Sequence, residues 1–378
     1  MTGGKPLRVL VVDDTVVYRK IVSDILGEMP GVEVVGIANN GKIAMSRIER
    51  WRPDLVILDV EMPEADGLEV LAFIKRKTLP TGAVMLSSFT QKGSERTIQA
   101  LELGAFDFIP KPETQSMDES RAAVKGQLVR MVEAFALQAE VRALLAGGVA
   151  REPRPVPSPK AAPLSPVQET PRRRQASTLV VIGVSTGGPN ALKEVLPRLP
   201  GDLGAPVLVV QHMPPMFTKS LADSLNSRCA LPVVEAADGQ VIQPNQVMIA
   251  PGGRHMRVVA GPDRISRRIQ LTDDPPESGS RPSVDYLFRS VAHVHGGRVT
   301  AVIMTGMGSD GKLGMALLRR AGAITVAQDE RTCVVYGMPR EVIDAGLADV
   351  VVPLDAIADQ IIQTVRLPRA AMVCSKSP

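Results

Sequence analysis

The stretch Val180 to Pro189, VVIGVSTGGP, leaves little freedom in what can surround it. A β-branched aliphatic run passes directly into Gly-Val-Ser-Thr-Gly-Gly-Pro. That pattern predicts a buried strand breaking into a sharp turn, with Ser185 on the turn. A helix should begin near Pro189, where the missing proline N–H removes no helical hydrogen bond. Gly183, Ser185 and Gly187 keep the G-x-S-x-G spacing of a nucleophile elbow. A turn that lifts a serine hydroxyl clear of a sheet crowds its neighbours, and residues without Cβ relieve that crowding. The helix beyond would aim free N–H groups at negative charge developing near the hydroxyl. A plain Gly-rich strand–helix turn has the same letters, so the spacing alone leaves both readings open.

The first third of the chain alternates strands and helices. Aliphatic runs at Leu7–Val12, Val32–Ala38, Leu55–Leu58, Ala83–Leu86 and Ala105–Ile109 end at Asp13-Asp14, an Ala-Asn step, Asp59, Ser87-Ser88 and Pro110-Lys111-Pro112. Segments of helical period lie between them: Val16, Val17, Ile21, Ile25 and Leu26 share one face, and Gly104 stops the helix holding Ile98 and Leu101. Largely apolar strands alternating with helices imply a parallel sheet covered on both faces. Such sheets collect function at the carboxyl ends of their strands. Those ends carry Asp13, Asp14, Asp59, Ser87 and Lys111. Three converging carboxylates repel one another unless a cation sits among them, and oxygen ligands of this kind suit Mg2+. A nearby hydroxyl and ammonium would receive the oxygens of a small anion. That is the makeup of a phosphoryl-accepting site, with Asp59 as the acceptor.

Met117 to Leu145 predicts a long amphipathic helix ended by Gly147-Gly148. Arg151 to Ala176, with PRPVPSPKAAPLSP and PRRRQ, has no apolar period and reads as an extended tether. Arg172 to Arg174 suit a solvated linker better than a nucleic-acid contact. The expected division is therefore 1–125, a helix and linker over 126–176, a second domain over 177–366, and a tail over 367–378. A chain of 378 residues accommodates two domains, and with aromatics at only 3% its cores must be aliphatic. A net charge of +4 is too slight to argue for nucleic acid. Three scattered cysteines fit a reducing compartment. With no signal-peptide pattern and no apolar run of spanning length, the expected location is cytoplasmic, without membrane insertion.

The second domain repeats the alternation. Pro206–Val210 is a strand leading into Gln211-His212-Met213-Pro214, and Phe217–Arg228 is helical. Val233–Ala236, Val247–Ile249 and Met256–Ala260 are shorter strands. A hairpin pairs Val258–Ala260 with Arg264–Ile269. Ser283 caps a helix to about His293. Val299–Met304 ends in TGMGSDG, and Ile324–Ala327, Val350–Val352 and a helix over Leu354–Val365 complete the series. Strand ends again hold the chemistry: Ser185, His212 and Asp310. A serine needs a base, and a histidine base needs a carboxylate to hold its tautomer. His255, in a loop after PGGR, is the second choice as base, while His293 and His295 suit a helix terminus.

Residues 7 to about 125 resemble the receiver domain of two-component response regulators. The match rests on Asp13-Asp14, Asp59 within LDVEMPEADG, Ser87 and Lys111-Pro112. The resemblance implies a flavodoxin-like (βα)5 fold and phosphorylation of Asp59 by a sensor histidine kinase. It implies Mg2+ held by Asp14, Asp59 and the backbone carbonyl of Glu61, with Asp13 acting through water. It also makes Ser87 and Phe108 the switch hydroxyl and aromatic, although Phe108 reads equally well as core. Residues 178 to about 366 resemble the catalytic domain of the chemotaxis protein-glutamate methylesterases through IGVSTGGP, QHMPPMFTKSLA, IAPGGRHM, RPSVDYLF, MTGMGSDG and AQDERTCVVYGMP. This second resemblance implies a doubly wound, mostly parallel α/β domain with Ser185 as nucleophile, His212 as base and Asp310 as its orienting carboxylate. Oxyanion donors would come from the backbone of Thr186 and Met307, with no cofactor. The expected activity is phosphorylation-stimulated methyl-ester hydrolysis and glutamine deamidation on chemoreceptors, the receiver packing over the Ser185 site until Asp59 is phosphorylated. A receiver-gated serine hydrolase with another protein substrate is the alternative.

Overall fold

The computed structural model describes residues 5–112, 116–146 and 176–366. The first unit runs β1 (Leu7–Val12), α1 (Val16–Gly27), β2 (Val32–Ala38), α2 (Gly41–Trp51), β3 (Leu55–Asp59), α3 (Gly67–Arg76), β4 (Gly82–Ser88), α4 (Gln91–Leu103), β5 (Asp107–Lys111) and α5 (Met117–Ala146). Its five strands are all parallel, in the order β2-β1-β3-β4-β5. Val9, Val11, Leu55, Ile57 and Leu86 bury one face of the sheet against Ile21, Ile25 and Val124, and Leu10, Val56, Leu58 and Met85 bury the other. This is the doubly covered arrangement expected of continuous aliphatic strands. Helix ends follow local chemistry. Asp66 opens α3 in a capping box with Glu69, Thr90 caps α4 through Gly93 N–H, and Gly104 closes α4 in the left-handed region at φ 109°.

The second unit runs β6 (Leu179–Val184), α6 (Gly188–Val195), β7 (Val207–Gln211), α7 (Phe217–Asn226), β8 (Val233–Glu235), β9 (Val247–Ile249), β10 (His255–Ala260), β11 (Arg267–Thr272), α8 (Val284–Val294), β12 (Val299–Ile303), α9 (Lys312–Ala321), β13 (Ile324–Gln328), α10 (Met338–Asp344), β14 (Val350–Val352) and α11 (Leu354–Val365). Seven parallel strands lie in the order β14-β13-β12-β6-β7-β9-β8, and β10-β11 form a separate antiparallel hairpin. The first strand of the unit is therefore central. Later strands are added on both sides of it, β12-β13-β14 on one and β7-β9-β8 on the other, and that switch of direction places a crevice beyond the carboxyl ends of β6, β7 and β12.

Two sequence expectations shift. The second hairpin strand begins at Arg267, not Arg264, because Asp263 accepts from the N–H groups of Ile265 and Ser266 and holds those residues in the turn. The short helix α10 went unanticipated. The expected tether, Arg151–Ala176, lies almost wholly outside the described residues, as does the tail from 367.

The two units pack through α4 and β5 of the first and α6 and α7 of the second. The Phe108 ring stacks on Phe217 with centroids 4.5 Å apart, and Phe89 meets Phe217 edge-on at 5.9 Å. Ser94 Oγ and Ser220 Oγ share a buried hydrogen bond of 2.8 Å. Glu102 accepts from Ser224 Oγ at 2.6 Å and from Arg228 at 2.7 Å. Phe217 is fully buried, and full burial of such a side chain contributes roughly 1.5–3 kcal/mol.

Candidate active site

Ser185 and His212 leave adjacent strands side by side. Val184 of β6 pairs with Gln211 of β7, and His212 N–H donates to Val184 O at 3.1 Å. The turn after β6 is pinned from below. Ser185 N–H donates to Thr305 O at 3.0 Å, Gly188 N–H to Ser185 O at 2.8 Å, and Gln211 Nε2 to Ser185 O at 2.9 Å. Thr305 ties this turn to the loop before α10, its hydroxyl donating to Thr186 O at 3.0 Å and accepting Val335 N–H at 2.9 Å. Two glycines are needed here. Gly187 has φ 75°, and a Cβ on it would sit 2.5 Å from Val334. A Cβ on Gly306 would sit 2.7 Å from the Ser185 Cβ.

Asp310 follows β12 in the Gly-rich loop and is buried. Its Oδ2 accepts His212 Nε2–H at 2.8 Å and Val284 N–H at 2.7 Å. Its Oδ1 accepts Ser283 Oγ–H and Asp285 N–H, both at 2.9 Å. Burial pushes this carboxyl up, but the bonds from His212 and from the two backbone donors outweigh it and hold Asp310 below the usual carboxylate range. An ionised carboxylate can only accept, so the Nε2 proton belongs to His212 and Nδ1 is left as the basic nitrogen. Among the described residues, Ser185 Oγ makes no hydrogen bond, and neither Thr186 N–H nor Met307 N–H is paired. The backbone therefore leaves these two donors free. The hydroxyl itself rests without a partner, the loose geometry common in substrate-free sites.

The structure separates the two candidate bases. His255 is fully buried and both its nitrogens are engaged: Nδ1 accepts Ser283 N–H at 3.2 Å and Nε2 donates to Pro275 O at 3.1 Å. It stacks on Tyr286 at 4.4 Å and has no lone pair left to offer. His295 closes α8 and meets Thr178 Oγ1 at 2.9 Å. A residue that sequence reasoning missed is Asp107, at the start of β5. Its Oδ2 reaches Gly187 N–H at 3.4 Å, so a carboxylate of the first unit sits against the turn that carries Ser185. Nothing in its neighbourhood in the sequence marks Asp107 as more than a strand-end aspartate.

In the first unit, Lys111 Nζ lies 2.7 Å from both Asp13 Oδ2 and Asp59 Oδ2. Burial pushes the Asp59 carboxyl above the usual carboxylate range; Lys111 pulls against this and Asp13 adds to it. Ligand oxygens of Asp13, Asp14 and Asp59 lie within 4.8 Å of one another. Asp13 Oδ2 is buried and, despite the ion-pair distance to Lys111, receives no aligned hydrogen bond. Three carboxylates this close, offering oxygen ligands alone, fit a hard cation. Glu61 N–H points to Asp59 Oδ1 at 3.4 Å, and its side chain accepts Ser88 Oγ–H at 2.9 Å. Ser87, by contrast, is turned to α4, where Thr97 Oγ1 donates to its Oγ at 2.5 Å.

A receiver sheet and an α/β unit with serine, histidine and aspartate at three neighbouring strand ends define a receiver-bearing hydrolase. The family models agree on both halves: residues 9–124 match the response regulator receiver domain and residues 180–361 match the CheB methylesterase. A Desulfotalea psychrophila protein named protein-glutamate methylesterase/protein-glutamine glutaminase is 50% identical over 369 residues, covering 96% of this chain and 100% of that one. A relative of the same name from Symbiobacterium thermophilum is 46% identical, covering 96% and 98%, and one from Geobacillus kaustophilus is 46% identical, covering 96% and 99%. The chain belongs to the CheB methylesterase family, with both of its halves present. No helix among the described residues is long and apolar enough to cross a membrane.

Proposed function

We propose that the chain removes methyl groups from glutamate side chains of chemoreceptors, and ammonia from glutamine side chains, under control of phosphorylation at Asp59. The observation that carries this reading is the His212–Asp310 bond beside Ser185, within a chain half identical over its length to a protein-glutamate methylesterase. In the proposed route Ser185 Oγ attacks the γ-carbonyl while His212 Nδ1 takes its proton. The carbonyl oxygen, now negative, receives Thr186 and Met307 N–H. The C–OCH3 bond breaks, and His212 returns the proton to methanol. Water then repeats the cycle, freeing the glutamate carboxylate and Ser185. Asp310 holds the imidazole in the Nε2–H tautomer and stabilises its charged form. With glutamine, ammonia leaves in place of methanol.

Asp13, Asp14, Asp59 and the Glu61 carbonyl would hold Mg2+ in the receiver, where it would neutralise phosphoryl oxygens. Lys111 stands ready to pair with those oxygens, and a sensor histidine kinase is the phosphodonor. The test is methanol release from methylated receptor fragments with and without a phosphodonor. Release that rises with the donor is the expected result, and no release in either condition would end this reading.

The packing of the two units adds a pH prediction. Burial pushes the Asp107 carboxyl up to about 7, against the pull of Phe108 N–H, Gly187 N–H and the Thr186 hydroxyl. Freed into water it would return to about 4. Between those values the packed form holds a proton that the separated form does not, so packing is favoured at low pH and weakens as pH rises through about 7. A distance probe spanning the two units of the unphosphorylated chain should report more separation at pH ~8 than at ~5. Asp107→Asn should flatten that dependence; an unchanged slope would remove Asp107 as its source.

A further inference from the structure

The helices α8 and α9 exchange caps. Asp310, just before α9, accepts the N–H groups of Val284 and Asp285 in the first turn of α8. Asp285, in that same first turn, reaches back and accepts Gly314 N–H of α9 at 2.6 Å. Gly311, the N-cap of α9, has φ 96° and no side chain to offer, so Asp285 supplies the oxygen that an N-cap residue ordinarily would. The helices meet closely there. A Cβ on Gly314 would fall 2.4 Å from Phe288 Cβ, and one on Gly311 would fall 2.9 Å from Val284 Cγ1. Asp285 is 2% exposed and takes no part in the route proposed above.

We infer that Asp285 is a positioning residue for the hydrolase. By capping α9 it fixes the loop that carries Asp310, and through Asp310 it fixes the imidazole of His212. This inference rests on the Ser185–His212–Asp310 reading. A carboxylate, and not merely a small polar group, suits the position for two reasons. It satisfies an N-terminal helix donor with charge of the favourable sign. It also adds negative potential behind Asp310, which favours the imidazolium that forms on His212. The charged groups facing Asp285 are Asp310 at the start of α9, Glu277 in the strap before α8, and Arg289 one turn along α8, paired with Glu277 at 2.7 Å. Burial, followed by the nearness of Asp310 and Glu277, pushes Asp285 up to about 6 against the pull of its backbone donors, so it carries charge at neutral pH.

The experiment is methanol release by the full chain, comparing wild type with Asp285→Ala, Asp285→Asn and Asp310→Ala across pH. The alanine variant should lose on the order of tenfold in kcat with KM within about twofold, because the loss falls on the transition state and not on substrate binding. The acid limb of kcat/KM should move to lower pH in both Asp285 variants, since each removes the negative charge. Asparagine keeps an oxygen for Gly314 N–H and should recover most of kcat while leaving the limb displaced. A purely structural role would lower thermal stability and leave the limb in place. A folded alanine variant with wild-type kcat, or an unmoved limb in the asparagine variant, overturns the proposal; if alanine does not fold, the limb of the asparagine variant decides. Loss of turnover in Asp310→Ala alone would sink this inference and spare the catalytic reading, whereas full turnover in Asp310→Ala would remove both.

Discussion

Ser185→Ala should lower turnover of methylated receptor by on the order of 10⁴-fold or more, with the fold and the packing of the two units intact. The side chain removed is small and half-buried, makes no hydrogen bond, and sits on a turn that Thr305, the Gln211 side chain and Gly188 hold through the backbone of Ser185, not its hydroxyl. Little of the structure depends on its hydroxyl. The proposed route does depend on it, because its acyl intermediate forms on Oγ. In that route the Thr186 and Met307 N–H groups and substrate positioning would still act, and in serine triads such a remainder exceeds the uncatalysed rate by roughly 10³–10⁴. Measured methanol release near the wild-type rate would remove Ser185 as nucleophile, and with it the role given to His212.

The sequence made the strand-end residues legible because a parallel sheet leaves few places for polar side chains. Ser185, His212 and Asp310 each follow an aliphatic run, and the observed strand order places those three ends side by side. The chain's local grammar also gave Ser283 as the cap of α8. It could not show that the Ser283 hydroxyl donates to Asp310 or that Asp285 caps α9, because those bonds join residues 27 and 29 apart. His255 stayed a rival base until its two nitrogens were seen to be used. Phe108 read equally as switch or core, and its partner Phe217 lies on the other unit, where no periodicity could reveal it. The helix α10 was hidden by its length of seven residues and by Gly337-Met338-Pro339 at its start, which read as a loop. Asp107 was missed for the same reason as the rest of the contact between units: complementarity of two surfaces leaves no local pattern.

Asp59→Asn should keep basal methanol release and lose its response to a phosphodonor, the ratio of stimulated to basal rate falling to about one. The amide cannot accept a phosphoryl group, and α4 with Phe108 of β5 joins the Asp59 side of the receiver to the hydrolase. Ser87 Oγ now lies against Thr97 and Gly93 of α4, away from Asp59. A phosphate on Asp59 would offer this hydroxyl a charged acceptor and would draw Lys111 from its bridge between Asp13 and Asp59. The same α4 holds the hydrolase through Ser94 to Ser220 and through Glu102 to Ser224 and Arg228, and Phe108 beside it stacks on Phe217. Repacking α4 would therefore loosen several contacts at once. A tenfold stimulation requires a shift of only about 1.4 kcal/mol in the balance between packed and separated units. The stacking of Phe108 and the edge contact of Phe89 on Phe217, at roughly 0.5–1.5 kcal/mol each, are of that size, so loss of these aromatic contacts suffices and the units need not come fully apart. Rates measured with and without a small-molecule phosphodonor decide the matter: a Asp59→Asn chain stimulated as strongly as wild type would mean that the signal enters the hydrolase by another route.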